Sequence, residues 1–139
     1  MRQSMISAQQ TVFYADDNPK ALRMLASVLE GSGYKVVTTC NSDEAFQQME
    51  ETGFDLVLLA YRLPRITCFK LARLAKRLNA ETPVVLISGY SIFAPEELTY
   101  VDAYVGTGAT LDGLLGTIRS LIAKHHGGVL SERLFRRAQ

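Results

Sequence analysis

Short apolar or β-branched runs alternate with amphipathic helical segments five times along this chain, and that alternation limits its fold more than any other feature. The runs are Thr11 to Ala15 (TVFYA), Tyr34 to Thr39 (YKVVTT), Leu56 to Leu59, Val84 to Ile87 and Ala103 to Val105. Each has strand length. Leu56 to Leu59 is apolar throughout, as expected of a strand covered by helices on both faces. The helical signals fall between them. Asn18 can cap a helix with Pro19 at its first position, and Leu22, Leu25, Val28 and Leu29 mark its apolar face before Gly31-Ser32-Gly33 ends it. Asn41 and Glu44 have capping-box spacing, with Ala45, Phe46 and Met49 inward and Gly53 as breaker. The segment Phe69 to Leu78 places Leu71, Leu74, Ala75 and Leu78 inward, and Ser91 to Tyr100 should hold a short helix opened by Pro95-Glu96-Glu97. Thr110 caps a last helix carrying Leu111, Leu114, Leu115, Ile118 and Ile122. Such alternation builds right-handed βαβ units, hence a single doubly wound, five-stranded parallel α/β sheet with helices on both faces. Functional groups in such sheets gather at the carboxyl ends of the strands.

A length of 139 residues suffices for one domain with a real core. The reading is a tail over 1–10, a domain over 11–125, and a tail over 126–139 that is flexible or forms a short docking helix through Leu130, Leu134 and Phe135. A net charge of +1 gives no bulk attraction to nucleic acid or membrane. The basic stripe Lys70, Arg73, Lys76 and Arg77 reads as a solvated helix face, with no recognition motif beside it. No apolar run reaches the roughly 20 residues that span a bilayer, and the polar first ten residues are no signal peptide. Cys40 and Cys68 lack metal-type spacing and read as free thiols, one buried and one exposed, in a reducing cytoplasm.

The chemistry-bearing residues cluster at the strand ends. Asp16 and Asp17 follow the first strand, and Ala60 ends the third. A carboxylate at position 60 would complete an acidic pocket able to hold a divalent cation and accept a phosphoryl group. A methyl group does neither. The first βα loop, Asp16-Asp17-Asn18-Pro19, is also a poor phosphate cradle, because its carboxylates repel phosphate and proline removes a donor. No nucleophile elbow or histidine cluster is present, so an enzymatic or nucleotide-binding role ranks low.

In order, the landmarks are Tyr14-Ala15-Asp16-Asp17-Asn18, Gly33-Tyr34-Lys35-Val36, Asp55-Leu56-Val57-Leu58-Leu59, Arg62-Leu63-Pro64, Pro83 to Gly89, and Asp102-Ala103-Tyr104-Val105. Together they resemble the receiver domain of two-component response regulators over roughly Thr11 to Lys124. The resemblance implies a flavodoxin-like sheet of order 2-1-3-4-5. It implies that Asp16 and Asp17 match the acidic pair that positions Mg²⁺, that Arg62 matches the residue lending a backbone carbonyl to the metal, and that Ser88 matches the hydroxyl that bonds the phosphoryl group. Tyr104 matches the aromatic switch residue.

Departures from the family pattern fall at its chemical centre. Ala60 replaces the phosphoacceptor aspartate, and Thr107 and Gly108 replace the usual lysine and proline. Cys68 takes the place of a glycine, and Arg65 adds bulk and charge nearby. The family site, three carboxylates and one ammonium, carries about −2, and two carboxylates alone also carry about −2, so losing both members leaves the local charge unchanged. This pairing is the mark of a natural pseudo-receiver. The expected protein is a stand-alone, cytoplasmic signalling module of a phosphorelay pathway that needs no cofactor, keeps at most a weak Mg²⁺ site, and acts by contact with a histidine kinase, another regulator or its own copy as a homodimer. The contact face implied by the family is that of the fourth and fifth strands and the last helix. The competing reading is a receiver phosphorylated elsewhere, with Asp17 as candidate. Tyr61 is adjacent to Ala60 but alternation points it to the other face.

Overall fold

The computed structural model describes residues 9–61, 65–89 and 93–124. Five parallel strands form one sheet: β1 (Thr11–Ala15), β2 (Lys35–Thr39), β3 (Leu56–Ala60), β4 (Val84–Ser88) and β5 (Ala103–Gly106). Their order is β2-β1-β3-β4-β5. The helices are α1 (Pro19–Gly31), α2 (Ser42–Glu51), α3 (Arg65–Leu78) and α4 (Leu111–Ala123), with a 3₁₀ turn at Pro95–Leu98 between β4 and β5.

Two apolar layers follow from the alternation of side chains along the strands. On one face Val12, Tyr14, Leu56, Leu58 and Val85 pack against Leu22, Leu25 and Leu29 of α1 and Leu114, Ile118 and Ile122 of α4. On the other, Phe13, Ala15, Val57, Leu59, Val84 and Leu86 pack against Ala45 and Met49 of α2 and Cys68, Leu71, Ala72 and Ala75 of α3. The caps are those written in the sequence. Asn18 Oδ1 accepts from the N–H groups of Lys20 and Ala21, Asn41 Oδ1 from that of Glu44, and Thr110 Oγ1 from that of Gly113. Gly33, at φ +99°, takes the left-handed turn after α1 that a side chain would oppose.

Several expectations need correction. Helix α3 begins at Arg65, four residues before Phe69. Proline at 64 is a residue type suited to a helix start. Its buried stripe is Cys68, Leu71, Ala72 and Ala75, while Leu78 is 47% exposed and Leu74 half-buried. Ala72 and Ala75 join Leu71 against the core, while Leu74 and Leu78 lie at the flank of this stripe. Leu111 is likewise 45% exposed. Phe46 is half-buried, and Tyr34 belongs to the turn after α1, its N–H bonded to Leu29 O. The helix expected over Ser91 to Tyr100 is only the 3₁₀ turn among the described residues. Lys76 is no free member of a solvated stripe. Its ammonium donates to Asp102 Oδ2 (2.6 Å) and Thr82 O (2.7 Å). The C-terminal tail, read as flexible or as a short docking helix, lies outside the described residues.

Candidate functional site

The carboxyl ends of β1, β3 and β4 bring the sequence candidates together. The register pairs Ala15 with Leu59 and Ala60 with Ile87. One step further along β1, Asp16 stands level with Ala60 on the neighbouring strand, on the same face as Tyr14 and Leu58. Asp16 is fully buried, as is Ala60 to within 1%. Oδ2 of Asp16 accepts a 2.7 Å hydrogen bond from the Tyr14 hydroxyl, and Oδ1 accepts the Asn18 N–H at 3.0 Å. Asp17 is exposed at the mouth of the loop. Magnesium asks for several oxygen ligands in octahedral array. A hydrogen-bonded carboxyl, one exposed carboxylate and a methyl group are a poor fit to a resident Mg²⁺. Among the described residues no three acidic, histidine or cysteine side chains are grouped to hold a metal. Arg62, the candidate carbonyl donor, lies outside the described residues.

The strand ends of β4 and β5 close the other side. Ser88 is buried, and its carbonyl accepts from the Thr107 N–H (3.0 Å) and the Tyr104 hydroxyl (3.3 Å). Thr107 is exposed, with Oγ1 leaning over Gly89, 3.4 Å from where a Cβ there would stand. The Tyr104 ring, 40% exposed, meets Phe93 edge-on at 5.6 Å. Phe93 in turn meets Tyr61 at 5.3 Å, and Tyr61 meets Phe69 at 5.9 Å. Tyr61 therefore packs on the α2/α3 face, away from Asp16. This aromatic chain was not foreseen as a unit. Strand alternation for Tyr61 and Tyr104 carried the hint, but Phe93 lies in a loop without periodicity.

Tyr14 was also missed as a site residue. Its two-residue spacing from Asp16 on one strand was the available signal. Beneath the site, Cys68 lies with Sγ 4.0 Å from the Ala60 carbonyl oxygen, and burial pushes its thiol pKa up to about 12. Between α1 and α4 a cleft of about 270 Å³ opens, floored by Tyr14, Leu25, Ile87, Val105 and Leu114, with Thr107 at its edge. Met24, 59% exposed, and Leu111 form its apolar rim.

A family model described as the response regulator receiver domain matches residues 12–105. The chain belongs to that family. Receiver-domain relatives include the uncharacterised transcriptional regulatory protein YkoG of Bacillus subtilis, 28% identical over 118 residues, which cover 82% of this chain and 51% of YkoG. The chain thus spans about half the length of that relative. Among solved receivers, a CheY-like domain from Methanospirillum hungatei superposes with TM-score 0.76 at 22% identity, covering 86% of this chain and 98% of that one. The response regulator TrrA of Thermotoga maritima, solved in complex with Mg²⁺-BeF, gives 0.74 at 24% identity, covering 81% and 99%. TrrA has also been solved in complex with the histidine kinase ThkA, where it matches at TM-score 0.71 and 24% identity, again over 81% of this chain and 98% of that one. The sheet order expected from the sequence is the order found.

Proposed function

We propose that this receiver domain signals by protein contact without aspartyl phosphorylation. The observation that carries the reading is the Ala60 methyl group, level with Asp16 at the carboxyl end of β3, where a receiver would present its acceptor carboxylate. Attack on a phosphodonor needs a nucleophilic oxygen at that point, and none is supplied. Three neighbouring features support the reading. The Tyr14 hydroxyl occupies an oxygen of Asp16, Thr107 is too short to reach across the strand ends as a lysine would, and Cys68 stays a neutral thiol. Tyr104 is tied by its hydroxyl to Ser88 O and by its ring to Phe93, which supports one fixed arrangement in place of a phosphate-driven switch.

The contact surface of this reading is the cleft between α1 and α4, where Met24 and Leu111 offer exposed apolar area beside a preformed hollow. Exposed apolar patches around a concave site suit an apolar anchor from a partner. The partner class is a histidine kinase or another regulator, as TrrA with ThkA suggests for the family.

Intact-mass analysis after incubation with acetyl phosphate and Mg²⁺ tests the reading, with Ala60→Asp run beside the native chain. The native chain is expected to gain no phosphoryl adduct. An adduct on it would overturn the proposal and direct attention to Asp17. An adduct on Ala60→Asp alone would show that the surrounding pocket still supports the chemistry once the nucleophile is returned.

A further inference from the structure

Helices α2 and α3 lie side by side on one face of the sheet and carry opposite charge. The sequence of α2 contains Asp43, Glu44, Glu50 and Glu51 and no basic residue. That of α3 contains Arg65, Lys70, Arg73, Lys76 and Arg77 and no acidic one. Lys70, Arg73 and Arg77 fall at i, i+3 and i+7, so they form one exposed stripe. Among the described residues no ion pair or hydrogen bond engages their side chains, in contrast to Lys76, which is held by Asp102. Between the helices runs a groove of about 290 Å³, with Phe46 and Leu74 as its apolar floor, Glu50 on the α2 side and the three cations on the α3 side. Leu78, one turn beyond Leu74 and 47% exposed, extends the apolar strip.

We infer that this face binds a second copy of the chain through a two-fold contact. A two-fold axis along the groove sets α2 of one copy against α3 of the other, and the reverse contact follows by symmetry. Acidic residues then meet cations at both crossings, and Phe46 and Leu74 meet their own copies over the axis. An unrelated acidic helix would satisfy α3 but would set like charges against α2. The fitting partner presents an acidic and a basic helix side by side, and this chain is such a partner. The inference uses a face remote from the α1/α4 cleft, so it stands whether or not phosphorylation occurs. At 1.5 Å per residue the helices give a footprint of about 400 Å² per copy, against about 800 Å² for a stable complex. The dimer is therefore reversible and, being charge-driven, salt-sensitive.

Sedimentation equilibrium of the full chain from micromolar to millimolar concentration tests this. Native protein is expected to shift from monomer to dimer with concentration at low salt and to return to monomer at high salt. Arg73→Glu and Glu50→Arg are each expected to weaken the dimer by about tenfold or more, since each sets like charges together. Both positions are exposed, and circular dichroism checks that each variant is folded. Mixing the two variants restores both attractive crossings in a heterodimer, a result expected only if these helices meet across the axis. A monomer throughout the concentration range, or a dimer that neither variant weakens, would overturn the inference. The monomeric outcome would return the face to a different partner.

Discussion

The hydroxyl of Tyr14 donates a 2.7 Å hydrogen bond to Oδ2 of Asp16, both side chains lying buried at the carboxyl end of β1. The bond joins the two halves of the site. Asp16 belongs to the strand-end pocket, and the Tyr14 ring floors the cleft between α1 and α4. A partner filling the cleft therefore touches a side chain bonded to the acidic residue.

Tyr14→Phe removes this bond while the ring stays in its apolar layer. A buried acceptor that loses a donor costs about 1–3 kcal/mol. Urea unfolding should show a loss of that size with an unchanged m-value. A variant as stable as the native chain would mean that water or another donor replaces the phenol.

The chain Phe69–Tyr61–Phe93–Tyr104 ties α3, the end of β3, the loop after β4 and β5 to one another. Phe93 is an inner member and touches both tyrosines. Phe93→Ala is expected to cost about 1–3 kcal/mol, as a half-buried aromatic with edge-on partners should. Aromatic NMR should show the rings of Tyr61 and Tyr104 gaining mobility together. Tyr104→Phe, which removes only the bond to Ser88 O, should cost no more than about 1 kcal/mol. If Tyr61 keeps its native mobility in Phe93→Ala, the ring contacts do not act as a unit.

Much of the architecture was legible because it rests on local signals. Asn18, Asn41 and Thr110 announce their helices by capping chemistry, and the all-apolar β3 announces a strand covered on both faces. The helical stripe of α3 was less legible. Leu71 and Ala75 lie inward as the periodicity gives them, but the core also takes the smaller Cys68 and Ala72, while Leu78 turns outward. At the site, Asp16 and Ala60 could be placed from strand ends alone, and Ser88 from the resemblance to receiver domains. Their partners could not, since Tyr14 with Asp16, Tyr104 with Ser88 and Lys76 with Asp102 are set by side-chain reach across the fold.

Asp102 clips the start of β5 to its neighbours. Its Oδ2 accepts from Lys76 Nζ at 2.6 Å and from the Val84 N–H at 2.7 Å. The ion pair is partly exposed, so most of the stabilisation is assigned to the backbone bond. Asp102→Ala should lose about 1–2 kcal/mol, and Lys76→Met less than half of that. Chemical unfolding of both variants gives the ratio, and equal losses would make the ion pair the larger contributor.

Cys68 and Cys40 should behave as opposites toward alkylation. Cys40 is exposed, while Cys68 is fully buried, with a thiol moved by burial from 9.0 to about 12. The thiolate is the reactive form, so iodoacetamide at neutral pH should label Cys40 alone until denaturant is added. The same shift makes stability depend on alkaline pH. Below pH 9 the thiol is protonated in both folded and unfolded chains, and the full stability is present. As the pH rises from 9 toward 12 the unfolded chain releases the proton and the folded one keeps it. Stability must then fall across that window, because the unfolded state binds fewer protons. Cys68→Ala, compared with the native chain by urea unfolding at successive pH values, should show a shallower fall above pH 9. Parallel curves would mean that Cys68 ionises in the folded protein as readily as in the unfolded one, and labelling of Cys68 under native conditions at high pH would show the same directly.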